Sequence, residues 1–161
     1  MSKIIQQQDN RRVFIDTLNE LNDPKIILLI PDVGWNYIEQ AKFRVINTGV
    51  TEEATMIIAA AMALDGWKPY VYSMRNFVLF RPAEMVRNGI VCHKANVKLL
   101  GVKGSDAYRF LGFSHNLLHD KEDLNFCKNI GLKYYVPKTA KQVRDIIIKT
   151  YNSKEPCYIP L

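Results

Sequence analysis

The segment KIILLI at residues 25–30, closed by Pro31 and Asp32, constrains this chain more than any other feature. A strand with one wet face alternates apolar and polar residues. This run is apolar at every position after Lys25, so it predicts a strand buried on both faces, as in a parallel sheet covered by helices. Further strands are expected at residues 44–46 (RVI), 68–73 (KPYVYS), 96–102 (NVKLLGV), 133–136 (KYYV) and 156–159 (PCYI). Helical patterns fill the gaps at 9–21, 51–64, 82–88, 122–129 and 139–151. Gly66 and Gly131 serve as stops, Pro82 sits near a first turn, and Thr139 is a candidate cap. The alternation predicts an α/β fold, a three-layer αβα sandwich with a mostly parallel central sheet. With 161 residues, 1–161 reads as a single domain, and 1–24 as its N-terminal helix and lead-in.

Composition excludes several classes. At 48% hydrophobic and 24% charged residues, the chain is neither disordered nor fibrous. The apolar run at 56–64 falls short of the roughly 20 residues a membrane helix needs, so no membrane partner is expected. The opening MSKIIQQQDNRR carries no apolar core of a signal peptide. Cys92, Cys127 and Cys157 are widely spaced and odd in number, which points to a reducing cytoplasm rather than a disulfide framework. The net charge is +6, yet the basic residues are scattered rather than gathered into a stripe, so no nucleic acid is expected. The surplus suits a partner subunit, an anionic ligand or a merely solvated surface.

In open parallel sheets, ligands bind beyond the carboxyl ends of the strands. That rule nominates the loops at 31–36, 47–53, 73–81 and 103–115. In NTGVTEEA, Gly49 precedes a helix, and Glu52 and Glu53 occupy its first turn. Most such carboxylates only complement the helix dipole. The helix that follows, MIIAAAMAL, is too apolar for a surface, so Glu52 is expected to open a buried helix at a strand end.

These residues resemble a known family. RVINTGVTEEATMIIAAAMALDGWKPYVYS is similar to the segment of transketolases and deoxyxylulose-phosphate synthases that reads R-F/V-I-N-x-G-I/V-x-E-Q/E, then small residues, then A-L-x-G-x-x-P. RPAEMVRNGI resembles R-x-x-D/E-x-I/V-R-x-x-I. NVKLLGV, LGFSHNLLHDKEDL, VPKTAKQVRDII and PCYIPL match later motifs in the same order. The resemblance covers most of the chain and identifies a pyrimidine-binding (Pyr) domain of thiamine-diphosphate enzymes. It implies that Glu52 is catalytic. Its carboxyl would hydrogen-bond N1′ of the aminopyrimidine and favour the imino tautomer that removes the thiazolium C2 proton, a task suited to a carboxyl kept partly from water. Gly49 and Val50 would line the cofactor. An aromatic of the 73–81 loop would stack on the pyrimidine, Phe77 or, one position on, its competitor Val78; Tyr72 and Phe80 are equally core candidates. Asp32 would line the pocket or cap its turn. His115, in the family's G-x-T/S-H, would face the substrate and hydrogen-bond its carbonyl oxygen. His93 and His119 read as ordinary surface or structural residues. Arg81 and Arg87 would bind phosphate or pair with a partner's carboxylates.

The departures are as informative. The family's G-D-G and following Asn, which hold diphosphate and Mg²⁺, are absent; GSDAY lies inside the Pyr match. Family members continue into a third domain beyond the position of Leu161. The resemblance therefore implies one subunit of a split transketolase-like enzyme. A separate diphosphate-binding (PP) domain subunit would hold thiamine diphosphate and Mg²⁺, with no metal ligand on this chain, in an α₂β₂ assembly. Asn47 stands where sugar-phosphate transketolases have Arg, and Leu111 where they have Asp. Both positions would meet substrate, so the departures put a standard pentose phosphate in doubt and leave a modified or nucleotide-linked sugar, or a small 2-oxo acid, as the expected alternatives. Trp35 would shape a pocket or an interface. The alternatives are a 2-oxo-acid decarboxylase or dehydrogenase subunit, and a non-catalytic module of the same fold.

Overall fold

The computed structural model describes residues 9–32, 38–103 and 106–161. Six strands form one sheet in the order β2-β1-β3-β4-β6-β5, and every pairing is parallel. They are β1 (Ile26–Ile30), β2 (Arg44–Asn47), β3 (Lys68–Met74), β4 (Lys98–Val102), β5 (Lys133–Tyr134) and β6 (Cys157–Pro160). All five residues of β1 are buried, as its unbroken apolar run requires. Its residues divide alternately between two cores. Ile26, Leu28 and Ile30 join Tyr70, Tyr72, Leu100 and Ile159 under α1 (Asn10–Leu21) and α5 (Ala140–Tyr151). Ile27 and Leu29 join Val71, Leu99 and Tyr158 under the opposite layer. That layer holds α2 (Glu52–Leu64), α3 (Ala83–Met85) with its flanking turns, and α4 (Glu122–Ile130). The three-layer αβα expectation describes this architecture.

Local chemistry sets the element ends. The Asp9 carboxylate accepts from the Arg11 amide at 2.9 Å and starts α1. The Thr139 hydroxyl accepts from Gln142 N at 3.2 Å and starts α5. Gly131 takes a left-handed φ of 75° after α4.

Four expectations need correction. The 73–81 segment is not a loop. β3 runs to Met74, and a wide π-helical turn, Asn76–Phe80, begins almost at once. After α3 a second wide turn follows, Val86–Val91, where sequence reading ends the helix at 88. Pro82 has no N–H to continue a regular ladder, and the Arg81 amide donates instead to Asn76 O at 3.0 Å. Likewise, the 103–115 segment contains a 3₁₀ helix, Asp106–Ser114, kinked at Gly112 (φ 61°, ψ −149°), a conformation that only glycine adopts cheaply. Finally, α2 is not wholly buried: Ile57, Ile58 and Leu64 are 43%, 46% and 62% exposed. Its apolar composition specifies a covered face without saying what covers it.

The chain leaves β1 toward β2 on one side, while β3 leads to β4 on the other. The connections therefore diverge between β1 and β3, and a crevice opens at their carboxyl ends.

Candidate functional site

Glu52 begins α2, directly after the turn that leaves β2. That turn is built from its own side chains. Asn47 Oδ1 accepts from the Gly49 amide at 2.9 Å, Gly49 takes φ 71°, and the Thr51 hydroxyl donates to Thr48 O at 2.7 Å. Thr48 and Thr55 hydroxyls meet at 2.7 Å and tie the turn to the helix. Glu52 is only 4% exposed. A carboxylate so far from water needs a compensating partner, and Arg81 Nη1 donates to its Oε1.

Arg81 reaches Glu52 from the end of the wide turn after β3. Phe77 lies one turn earlier on the same face, and the Arg81 guanidinium carbon lies 4.0 Å from its ring centre. Phe77 is half-buried, whereas Val78 and Leu79 point into the core with no exposure. Of the two candidates for a stacking position, Phe77 is partly exposed, with the Arg81 guanidinium over its ring, and Val78 is fully buried. Phe77 also meets the His115 ring edge-on, with centres 4.9 Å apart. Glu52, Arg81, Phe77 and His115 thus form one continuous line of contacts.

Asn76 holds the His115 segment in place. Its Nδ2 donates to Phe113 O at 2.9 Å and to Asn116 O at 3.2 Å. His115 Nδ1 lies 2.8 Å from the Ser114 hydroxyl, which donates to Leu111 O at 2.8 Å. Below, Asp123 is 1% exposed and accepts from the Tyr158 hydroxyl at 2.8 Å, with Arg75 Nη1 at 3.3 Å. Burial pushes the Tyr158 hydroxyl well above its usual range, so it remains a donor. Beside His115 opens a cavity of about 420 Å³ whose lining includes Arg75, Lys103, His119 and Lys121, with the Asp120 carboxylate also on its wall. Among the described residues, Ser73 Oγ, Arg75 Nε and Asn76 Oδ1 are buried without a hydrogen-bond partner, and Arg75 and Asn76 also line this cavity.

The remaining sequence candidates fall around this line. Asp32 is exposed at the end of β1 with φ 47°, and its amide donates to Ile30 O at 3.0 Å. Asn47 turns back onto Gly49 to shape the Glu52 turn. Val50 is 66% exposed, and Leu111 36%. Tyr72 is core, and Phe80 packs edge-on against Phe126 at 5.4 Å. Trp35 lies outside the described residues. Arg81, expected on phosphate or on a partner's carboxylate, instead pairs with a carboxylate of its own chain. Sequence reading assigns no role to Arg75, Asn76 or Asp123, although the first two lie in the nominated 73–81 segment and Asp123 in the matched LGFSHNLLHDKEDL motif, because neither feature shows which side chains they meet. Among the described residues, no group of three or more His, Cys, Asp and Glu gathers as a metal site.

Comparison with known proteins sets this geometry in a family. Residues 7–161 match the family described as transketolase, pyrimidine binding domain. The chain is 30% identical over 156 residues to one of the subunits of the apulose-4-phosphate transketolase of Phocaeicola vulgatus, covering 92% of this chain and 49% of that protein. It is 26% identical over 159 residues to the 6-deoxy-6-sulfo-D-fructose transketolase subunit SqwH of a Clostridium species, covering 94% and 48%. Among solved structures, a split gene transketolase described as an inactive beta4 tetramer superposes with a TM-score of 0.81 at 28% identity, over 96% of this chain and 51% of that one. The chain thus spans about half the length of the curated relatives it matches. By the family match over nearly its whole length, this chain belongs to the transketolase pyrimidine-binding-domain family.

Proposed function

We propose that this chain is the pyrimidine-binding subunit of a two-chain, thiamine-diphosphate-dependent transketolase-like transferase. The observation that carries this reading is the pair of Glu52 and Phe77. A carboxylate shielded from water and a half-exposed aromatic face converge on one flat, nitrogen-bearing group, the Arg81 guanidinium. Those two surfaces fit an aminopyrimidine ring. Bound thiamine diphosphate would supply the nucleophilic carbon that adds to a substrate carbonyl. Glu52 would share a proton with the ring nitrogen, Phe77 would stack on the ring, and Gly49 and Val50 would border it. His115, fixed through Phe77 and Ser114, would donate to the substrate oxygen. Asn47 and Leu111 would stand at the substrate side.

The reading requires a second subunit. Relatives of this chain are named as transketolase subunits, and on that reading a PP-domain partner would hold the diphosphate and Mg²⁺, in an α₂β₂ assembly. Two uncovered apolar surfaces support this: Ile57, Ile58 and Leu64 on α2, and Phe110 and Phe113, 82% and 77% exposed, beside the site. The basic cavity next to His115 favours a ketose or 2-oxo substrate with an anionic end. A reducing, cytoplasmic setting agrees with the free thiols of Cys92, Cys127 and Cys157. Among the described residues, no helix is long and apolar enough to cross a membrane.

The test is calorimetry of thiamine diphosphate and Mg²⁺ with this chain, with a PP-domain partner, and with both mixed. Binding confined to the mixture is expected; a mixture that binds nothing would refute the reading. In the active mixture, Glu52→Gln should lower turnover by about a hundredfold or more, the usual scale for a lost proton-transfer group, while the complex still assembles.

A further inference from the structure

Arg81 makes both of the contacts assigned above to the cofactor ring. Its guanidinium is planar, donates to Glu52 and lies 4.0 Å over Phe77. An aminopyrimidine held by the same carboxyl and the same aromatic face would need the same space. We propose that Arg81 is a stand-in ligand of the pyrimidine site, which neutralises Glu52 in the cofactor-free subunit and must swing out for the ring to enter. This rests on the functional reading given above.

Two physical arguments support the displacement. First, a buried carboxylate without a partner is costly, so the free subunit needs a counter-charge that the assembled site does not. Arg81 can provide it cheaply: its side chain is 41% exposed, so its outer part already touches water and has room to leave. Second, a guanidinium cannot give up its proton, so Arg81 occupies the carboxyl without being able to share a proton with it as a ring nitrogen would. Sharing a proton with a ring nitrogen demands that the ion pair open. The arginine thus works as a positioning residue, preserving the Glu52 rotamer and the Phe77 face until the ring replaces it. Arg81 sits at the end of the wide turn, next to Pro82, where its amide donates to Asn76 O five residues back rather than in an ordinary α-helical ladder.

The test has two arms. In the first, melting temperatures of the free chain are compared for wild type, Arg81→Met, Glu52→Gln and the double variant. Methionine retains much of the apolar stem without charge. Arg81→Met should lower the melting temperature when Glu52 is present and leave it nearly unchanged in the Glu52→Gln background; an equal loss in both backgrounds overturns the proposal. In the second arm, the assembled complex is titrated with thiamine diphosphate by calorimetry. Arg81→Met should tighten binding about tenfold, the scale of one ion pair plus one cation–π contact no longer competing, with Arg81→Lys in between. Binding by the wild-type complex that Arg81→Met leaves unchanged or weakens would overturn this proposal alone. No binding by the wild-type complex would overturn the functional reading and this proposal with it.

Discussion

The two ends of the sheet are finished differently. Where the strands begin, polar side chains satisfy one another. Asp23 accepts from Lys68 at 2.7 Å and from the Tyr151 hydroxyl at 2.7 Å, and the Lys68 ammonium lies 3.7 Å from the Tyr151 ring centre. Where the strands end, buried polar atoms of Ser73, Arg75 and Asn76 stand without partners among the described residues. There Glu52 leans on an arginine that is half in water, and large aromatic and aliphatic side chains lie open. A closed end adds stability to the chain itself. An open end leaves interaction capacity unspent, which is what a ligand and a second subunit require.

The largest expected effect lies under the open end, where Asp123 anchors Arg75 and Tyr158. Asp123→Ala should cost about 3 kcal/mol in denaturant unfolding, because it strands a cation and a hydroxyl together. A loss below about 1 kcal/mol would mean that the cavity wall does not depend on this network. Next is the exposed α2 face. Ile58→Glu should leave the chain's own stability within about 0.5 kcal/mol, as a surface change does. It should nevertheless weaken subunit association by about 2 kcal/mol, the scale of an interface hot spot, measured by sedimentation. Unchanged association would place the partner elsewhere.

At the closed end the effect is smaller and depends on pH. The hydrogen bond from Lys68 holds the Asp23 carboxyl well below its usual range, at about 2. A depressed carboxylate stabilises the fold above its unfolded-state value and loses that contribution as pH falls toward the folded one. Asp23→Asn should therefore cost about 1 kcal/mol near neutrality, and its difference from wild type should shrink between about pH 4 and pH 2. A difference independent of pH would show that the ion pair is not the source. The smallest effect is chemical. Burial pushes the thiols of Cys127 and Cys157 up, to about 12 and about 11, whereas Cys92 is exposed. A thiol reagent should label Cys92 alone in the native chain, without loss of structure, and all three after unfolding.

Much of this architecture was legible in the residues themselves. KIILLI demanded a strand buried on both faces, and NTGVTEEA placed a carboxylate at the start of an apolar helix. What periodicity could not show was the helical nature of 76–80. NFVLF is too short to display a helical repeat, and its wide turn depends on Pro82 and on Val78 and Leu79 finding the core. The exposed half of α2 was hidden for another reason: Ile57 and Ile58 look alike in sequence whether solvent, the sheet or a second protein lies against them. The family motif puts Asn47 at the substrate side, but it does not show that the Asn47 Oδ1 also accepts from the Gly49 amide and shapes that turn.

By itself, the sequence determined the layers of this protein, the parallel sheet and the site of Glu52, because each follows from hydrophobic pattern and turn chemistry over a few neighbouring residues. Only the tertiary structure decided that Arg81 meets Glu52 and covers Phe77. That contact joins the turn after β3 to the helix after β2, across the crevice beside β1. Its geometry depends on strand register and on the phase of one wide helical turn, neither of which is written in any single stretch of the chain.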